Sequence, residues 1–231
     1  MSLLKPIYLF ADSRPLFFKQ EGNAFLASIW NFIESEYPKA AYIGASNGDN
    51  PDYYSIFEAS MGNVGIQACG MIRSSFPEDD RKFLREADIV LLAGGSARTG
   101  WEVFEKSGLK EAIEEKYNEG AILIGVSAGA VQLGLMGWDD DDLEAEKFFY
   151  TFGLAPLIIS AHDEKKSWER LKKAVAFMND YYFGIGIPSG GGMLYHPDRM
   201  IEPVHFPVEE FAIRDGKFHH SLLMPGTTIT I

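Results

Sequence analysis

Short apolar runs, each ending in small or turn-forming residues, recur through the first 127 residues and constrain the fold more than any other feature. They are IYLF from Ile7, AAYIGA from Ala40, VGIQACG from Val64, DIVLLAGG from Asp88 and AILIGVS from Ala121. Runs of this length, apolar without polar alternation, read as strands buried on both faces. Segments with helical spacing lie between them: Phe25, Ile29, Phe32 and Ile33, then Trp101, Phe104, Leu109, Ile113 and Tyr117. Strand and helix therefore alternate. That order predicts an α/β fold, a mostly parallel sheet sandwiched by helices in three layers.

The pattern changes after Met136. An acidic run, WDDDDLEAEK, leads to a strand candidate, APLIISAHD, and a charged helix, EKKSWERLKKAVAFMND. Short strand candidates then continue to Ile231, with SGGG and RDG as turn signals. They predict a C-terminal antiparallel extension at the sheet edge. No internal repeat, low-complexity linker or long charge block divides the chain, and 231 residues with 46% apolar content suit one core. Residues 1–231 are thus expected to form a single domain.

Composition narrows the partners. Lys and Arg total 21 against 33 Asp and Glu, and the resulting net charge of −12 repels nucleic-acid phosphates and anionic membrane surfaces. Cys69 is the only cysteine, which excludes an internal disulfide and a cysteine-rich zinc site and agrees with a reducing compartment. The expected location is cytoplasmic. The opening MSLLKPIYLFADSRP is interrupted by Pro6 and Asp12 and reads as a first strand rather than a signal peptide. No stretch approaches the roughly 20 apolar residues that span a bilayer.

The chemistry concentrates in AILIGVSAGAVQLG, residues 121 to 134. Gly125-Val126-Ser127-Ala128-Gly129 fits G-x-S-x-G, in which small neighbours let a strand turn sharply into a helix and hold the serine exposed. The Ala128 N–H, first of that helix, can donate to an oxyanion formed when Ser127 attacks a carbonyl. A second donor is available from LLAGGSARTGW, where Gly94 and Gly95 let backbone approach a substrate closely. The plain alternative is that both stretches are ordinary strand-to-helix turns. Neither is a phosphate loop, since GxGxxG and GxxxxGK[ST] are both missing.

With AAYIGASNGDNPDYYSIFEA, ADIVLLAGGSARTGW, ILIGVSAGAVQLG, GLAPLIISAHDEKKSWERL and GIGIPSGGGML taken together, roughly residues 5 to 195 resemble the peptidase family of aspartyl dipeptidase (peptidase E) and cyanophycinase. The resemblance implies serine hydrolases on a class I glutamine amidotransferase-like fold. It makes Ser127 the nucleophile and His162, at the end of LIISAH, the general base. Of the other histidines, His196, His205, His219 and His220 lie in the C-terminal strand region. In a strand the last two would point to opposite faces, which argues against a shared metal.

One position departs from the family. The resemblance places a glutamate after a later strand, where this chain has Ser189. Serine can accept an imidazole N–H but supplies no full charge, and losing the orienting carboxylate costs serine proteases roughly 10⁴-fold in turnover. A substitute could come from Asp139 to Asp142, with Asp142 the favoured candidate in the loop leading towards the His162 strand. The alternative is a solvated acidic loop. Asp163 is disfavoured because neighbouring side chains on a strand diverge.

The dipeptidase's preference for an aspartyl residue implies cationic partners, for which Arg98, Lys166 and Arg170 are candidates. Ser46 and Asn47, after the AAYIGA strand, are further candidates for binding substrate. The expected function is a serine peptidase or amide hydrolase acting on a small peptide, with no metal and no cofactor. The rival is a non-catalytic or weakly active member of the same fold that binds a small ligand or peptide, because of Ser189. A glutamine amidotransferase needs a cysteine at the elbow, and Cys69 lies on an earlier strand. A dinucleotide-binding protein lacks its glycine fingerprint.

Overall fold

The computed structural model describes residues 4–139, 147–226 and 229–230. Strands in chain order are β1 (Ile7–Phe10), β2 (Lys19–Gln20), β3 (Asn23–Ala24), β4 (Lys39–Ile43), β5 (Ala68–Ile72), β6 (Ile89–Leu92), β7 (Ile122–Val126), β8 (Met136–Gly137), β9 (Phe149–Tyr150) and β10 (Ile158–Ala161). They continue as β11 (Gly184–Ile187), β12 (Gly192–Tyr195), β13 (Met200–Val204), β14 (Val208–Arg214), β15 (Lys217–Leu223) and β16 (Ile229–Thr230). The α-helices are α1 (Pro51–Asn63), α2 (Glu78–Arg85), α3 (Ala97–Ser107), α4 (Leu109–Asn118), α5 (Ala128–Leu133) and α6 (Glu169–Met178).

The main sheet runs β16-β13-β12-β1-β7-β6-β4-β5. Pairing from β1 through β7, β6 and β4 to β5 is parallel, while β12, β13 and β16 join antiparallel beyond β1. This is the expected α/β architecture with its antiparallel extension. The C-terminal part also builds a second sheet, β10-β11-β14-β15, which the strand candidates alone did not separate from the first.

Alternation along each central strand explains the layers. Leu9, Ile43, Leu92 and Leu123 face one apolar cluster with Trp101 and Phe104 of α3, Ile113 of α4 and Leu133 of α5. Tyr8, Tyr42, Leu91 and Ile124 face the opposite cluster with Phe57 and Met61 of α1. Each fully buried Leu or Ile contributes about 1.5–3 kcal/mol relative to exposure. Ile159, Ile185, Ile187 and Val208 of the second sheet enter the first of these clusters, so one core runs under both sheets.

Three local expectations change. The fifth strand begins at Ala68, because Val64 caps α1, Gly65 takes φ 87° and the Ile66 N–H donates to the Met61 carbonyl. The spacing from Phe25 forms a 3-10 helix, Phe25–Asn31, burying Phe25, Leu26 and Ile29. The stretch from Trp101 to Tyr117 is two helices, broken where Gly108 takes φ 83°.

Candidate active site

β7 lies between β1 and β6 and is buried along its whole length, so its carboxyl end delivers Ser127 at a fixed place. Ser127 has φ 52° and ψ −109°, outside the regions an L-residue prefers, a strain of about 1–3 kcal/mol. Its N–H donates to the Phe10 carbonyl at 2.8 Å, tying the turn to β1. The chain then enters α5, whose six residues are all buried. A Cβ on Gly129 would lie 2.1 Å from the Leu92 carbonyl oxygen, so only glycine lets α5 approach β6 this closely.

The end of β6 carries Gly94 and Gly95. A Cβ on Gly94 would lie 3.3 Å from the Ser127 Cβ, which puts this turn against the nucleophile candidate. Gly95 has φ 137°, and a Cβ there would sit 2.0 Å from the Ser46 carbonyl oxygen. Ser46 and Asn47 act behind this turn. The Ser46 carbonyl accepts the Ser96 N–H at 2.8 Å, and Asn47 Nδ2 donates to the Gly94 carbonyl and the Tyr42 hydroxyl at 3.0 Å each. Gln132 Nε2 donates to Ser46 Oγ at 3.1 Å, which further fixes that buried side chain. Neither the Gly95 N–H nor the Ala128 N–H has an acceptor among the described residues.

The second sheet supplies the imidazole. β10 ends at Ala161, and His162 turns away with φ 46°, its N–H held by the Ile187 carbonyl at 2.9 Å. Its Nε2 lies 2.7 Å from Ser127 Oγ. With the hydroxyl as donor, the imidazole carries its proton on Nδ1, which has no hydrogen-bond partner among the described residues.

Ser127, His162, Gly95 and Ala128 line a cleft of about 510 Å³. Asp163, Lys165, Lys166 and Arg170 line it as well, as does Trp138. Lys166 and Arg170, two of the candidates for binding substrate, are therefore cleft residues. Arg98 does not line the cleft: its Nε donates to Asp139 at 2.8 Å, a second nitrogen donates to the Lys147 carbonyl at 3.0 Å, and the guanidinium stacks on Phe149. Asp139 is thereby engaged too, and Asp142 lies outside the described residues.

Asp163 shares the cleft with His162 although the two are adjacent. The alternation rule stops applying at Ala161, where β10 ends and the left-handed His162 redirects the chain. Burial pushes the Asp163 carboxyl above its ordinary range, partly countered by Lys166 and Arg170. Asp163 Oδ2 and Arg170 Nε are buried without hydrogen-bond partners among the described residues.

Ser189 follows β11, the parallel neighbour of β10, so the turns after the two strands sit side by side. The Ser189 N–H donates to Glu164 Oε1 at 3.3 Å. Burial raises the Glu164 carboxyl, but hydrogen bonds from Ser189 and from its own backbone N–H, together with the charge of the nearby His162, outweigh it and hold Glu164 below its ordinary range. Sequence reasoning passed over Glu164. Its signal was its place two residues after the histidine in SAHDEKK.

Three of the remaining histidines have other partners. His196 meets Glu202 at 3.0 Å, His205 Nδ1 meets the Gly190 carbonyl at 3.1 Å, and His220 meets Glu209 at 2.9 Å. Among the described residues no group of three or more His, Cys, Asp or Glu is placed to hold a metal ion. No described helix is long and apolar enough to cross a membrane.

The chain is 24% identical over 104 residues to the uncharacterized peptidase YgaJ of Bacillus subtilis (strain 168), a match spanning 45% of each protein, so under half of that relative's length is covered. A peptidase from an acI-B1 Actinobacterium shares the fold at TM-score 0.73 and 15% identity, over 99% of this chain and 98% of that one. A candidate peptidase E of Listeria monocytogenes EGD-e does so at TM-score 0.59 and 14% identity, over 95% and 99% of the respective chains. The model of peptidase family S51 matches residues 16–202. A chain matched over that span, with the class I glutamine amidotransferase-like fold of its structural neighbours, belongs to peptidase family S51.

Proposed function

We propose that the protein is a cytoplasmic serine peptidase of the peptidase E type that cleaves small peptides through an acyl-enzyme on Ser127. The observation that carries this reading is the 2.7 Å contact between Ser127 Oγ and His162 Nε2 in a cleft. A hydroxyl is a poor nucleophile until a positioned imidazole takes its proton. As Oγ bonds to the substrate carbonyl carbon, its proton passes to Nε2. The carbonyl oxygen becomes an oxyanion within reach of the Ala128 and Gly95 N–H groups. The imidazolium then gives its proton to the leaving amine as the C–N bond breaks. Water, activated by the same imidazole, hydrolyses the ester and restores Ser127.

Lys166 and Arg170 favour a substrate with a carboxylate on the acyl side, in a protein whose net charge is otherwise −12. Asp163 lines the same cleft and sets a carboxyl among its cationic side chains. The test is mass-spectrometric turnover of a mixed dipeptide library that includes aspartyl and isoaspartyl peptides. The parent is expected to cleave acidic members, and Ser127→Ala to lose at least about 10³-fold in kcat. Equal turnover by both proteins would end the serine mechanism.

A second reading, a binding protein without turnover, draws on the absence of any carboxylate bonded to His162 Nδ1 among the described residues. It predicts that library peptides bind both proteins equally and that neither cleaves them.

A further inference from the structure

We propose that Glu164 is the carboxylate that orients His162, acting from the turn after β10 in place of an acid at position 189 after β11. The proposal rests on the serine-hydrolase reading above and names the group that completes it.

Topology supplies the first argument. β10 and β11 are parallel neighbours in register, with Ala161 opposite Ile187 and the His162 N–H on the Ile187 carbonyl. Residues just beyond the two strands therefore occupy one small volume. An acid can enter it from either turn. The Ser189 N–H on Glu164 Oε1 at 3.3 Å shows that the Glu164 side chain reaches across to the residue where the acid is missing.

An unsatisfied buried atom supplies the second. Glu164 Oε2 is buried and has no hydrogen-bond partner among the described residues, and a buried carboxylate oxygen left unpaired costs free energy. His162 Nδ1 is a donor that lacks an acceptor in the same set. The nearby cation that would otherwise claim Glu164 is occupied, because Arg14 forks onto Asp12, which also accepts the Gly190 N–H at 2.8 Å. Closing the Glu164–His162 contact would give the buried Oε2 a donor and the exposed imidazole a carboxylate acceptor on Nδ1.

The competing acids fit less well. Asp163 lines the substrate cleft beside Lys166 and Arg170, and burial biases it towards its neutral form. Asp139 is held by Arg98. Glu164 lies outside the cleft lining and its net bias is towards the charged form, the state in which a carboxylate stabilises an imidazolium.

Glu164→Gln separates orientation by charge from mere support, since the glutamine oxygen still accepts the Ser189 N–H. Two readouts on the full chain decide the matter: the rate at which a fluorophosphonate modifies Ser127, and the titration midpoint of the His162 imidazole by NMR. Charged groups around that imidazole are Asp163 and Glu164 next to it, Lys165, Lys166 and Arg170 along the cleft, and Asp12 with Arg14 beyond Glu164. Only one of them changes in this variant.

The expected result is at least about a 10²-fold slower modification in Glu164→Gln, with the measured imidazole midpoint lower than the parent's through loss of a neighbouring negative charge. Ser189→Glu added to Glu164→Gln is expected to restore at least about tenfold of the lost rate, by returning a carboxylate from the β11 side. An unchanged midpoint in Glu164→Gln would overturn the proposal, whatever the modification rate does. A parent that fluorophosphonate never modifies would instead refute the serine-hydrolase reading, and the midpoint alone would then decide for or against Glu164.

Discussion

Ser127 and His162 meet across two different sheets, each at the first residue beyond a buried strand and each with a positive φ, 52° and 46°. Their 2.7 Å contact joins two non-glycine residues held in sparsely populated backbone conformations. Such strain persists only where the surroundings over-determine it. Here the Phe10 carbonyl fixes one backbone and the Ile187 carbonyl the other.

The loop that carries His162 is anchored by Trp168, 2% exposed, which packs with Ile158, Leu171 and Val175 beneath the second sheet. A Cβ on Gly186 would come within 2.8 Å of its ring, so β11 and the indole are in close contact. Trp168→Ala is expected to cost about 3–5 kcal/mol. Urea unfolding of parent and variant measures it, and activity in the folded variant should fall as His162 loses its support.

Gly95→Ala should be severe for two independent reasons. Its φ of 137° is one that side chains rarely adopt, and the added methyl would overlap the Ser46 carbonyl oxygen at 2.0 Å. Overpacking alone costs about 1–3 kcal/mol, and relief would displace the turn that faces Ser127. The expected outcome is a lowered Tm together with a kcat loss larger than that of Gly22→Ala, whose Cβ would meet nothing within 4 Å.

Asp80 makes acid stability predictable. It accepts from the Arg73 N–H at 2.8 Å, from Nε at 2.9 Å and from a terminal nitrogen at 2.8 Å. Burial opposes its charge, but these bonds hold its carboxyl below the ordinary range in the folded protein. A depressed folded pKa contributes stability that is present above the unfolded carboxylate range and is lost as pH falls through the folded value. Asp80→Asn should therefore be less stable than the parent near neutrality, and the gap should close in acid. Denaturant melts across that range check it.

Cys69 should be irrelevant to turnover. Burial, aided by Glu58, pushes its thiol up to about 11, so thiolate is scarce near neutral pH. It also sits on edge strand β5, with β4 and β6 between it and β7. Treatment with iodoacetamide at neutral pH is expected to leave peptide cleavage unchanged.

Much of this was legible before any coordinates. Buried strands announce themselves by uninterrupted apolar runs, and β1, β4, β6 and β7 lie where IYLF, AAYIGA, DIVLLAGG and AILIGVS fall. The Ser127 elbow was legible because sharp turns demand small residues on both sides. The second sheet was not, since short strands such as GIGI and APLIIS carry no sign of which sheet they join. Glu164 was hidden for a related reason: its relation to Ser189 depends on β10 and β11 pairing in parallel, a contact between residues 25 positions apart. Arg98 and Asp139, 41 positions apart, hid each other's engagement in the same way.

The most direct test of the account is intact mass and peptide mapping after fluorophosphonate treatment of the parent, Ser127→Ala and His162→Ala. The account predicts one adduct on the parent, mapped to Ser127, and none on either variant in the same time. An unmodified parent, an adduct on another residue, or equal modification of His162→Ala would contradict a Ser127 nucleophile activated by His162.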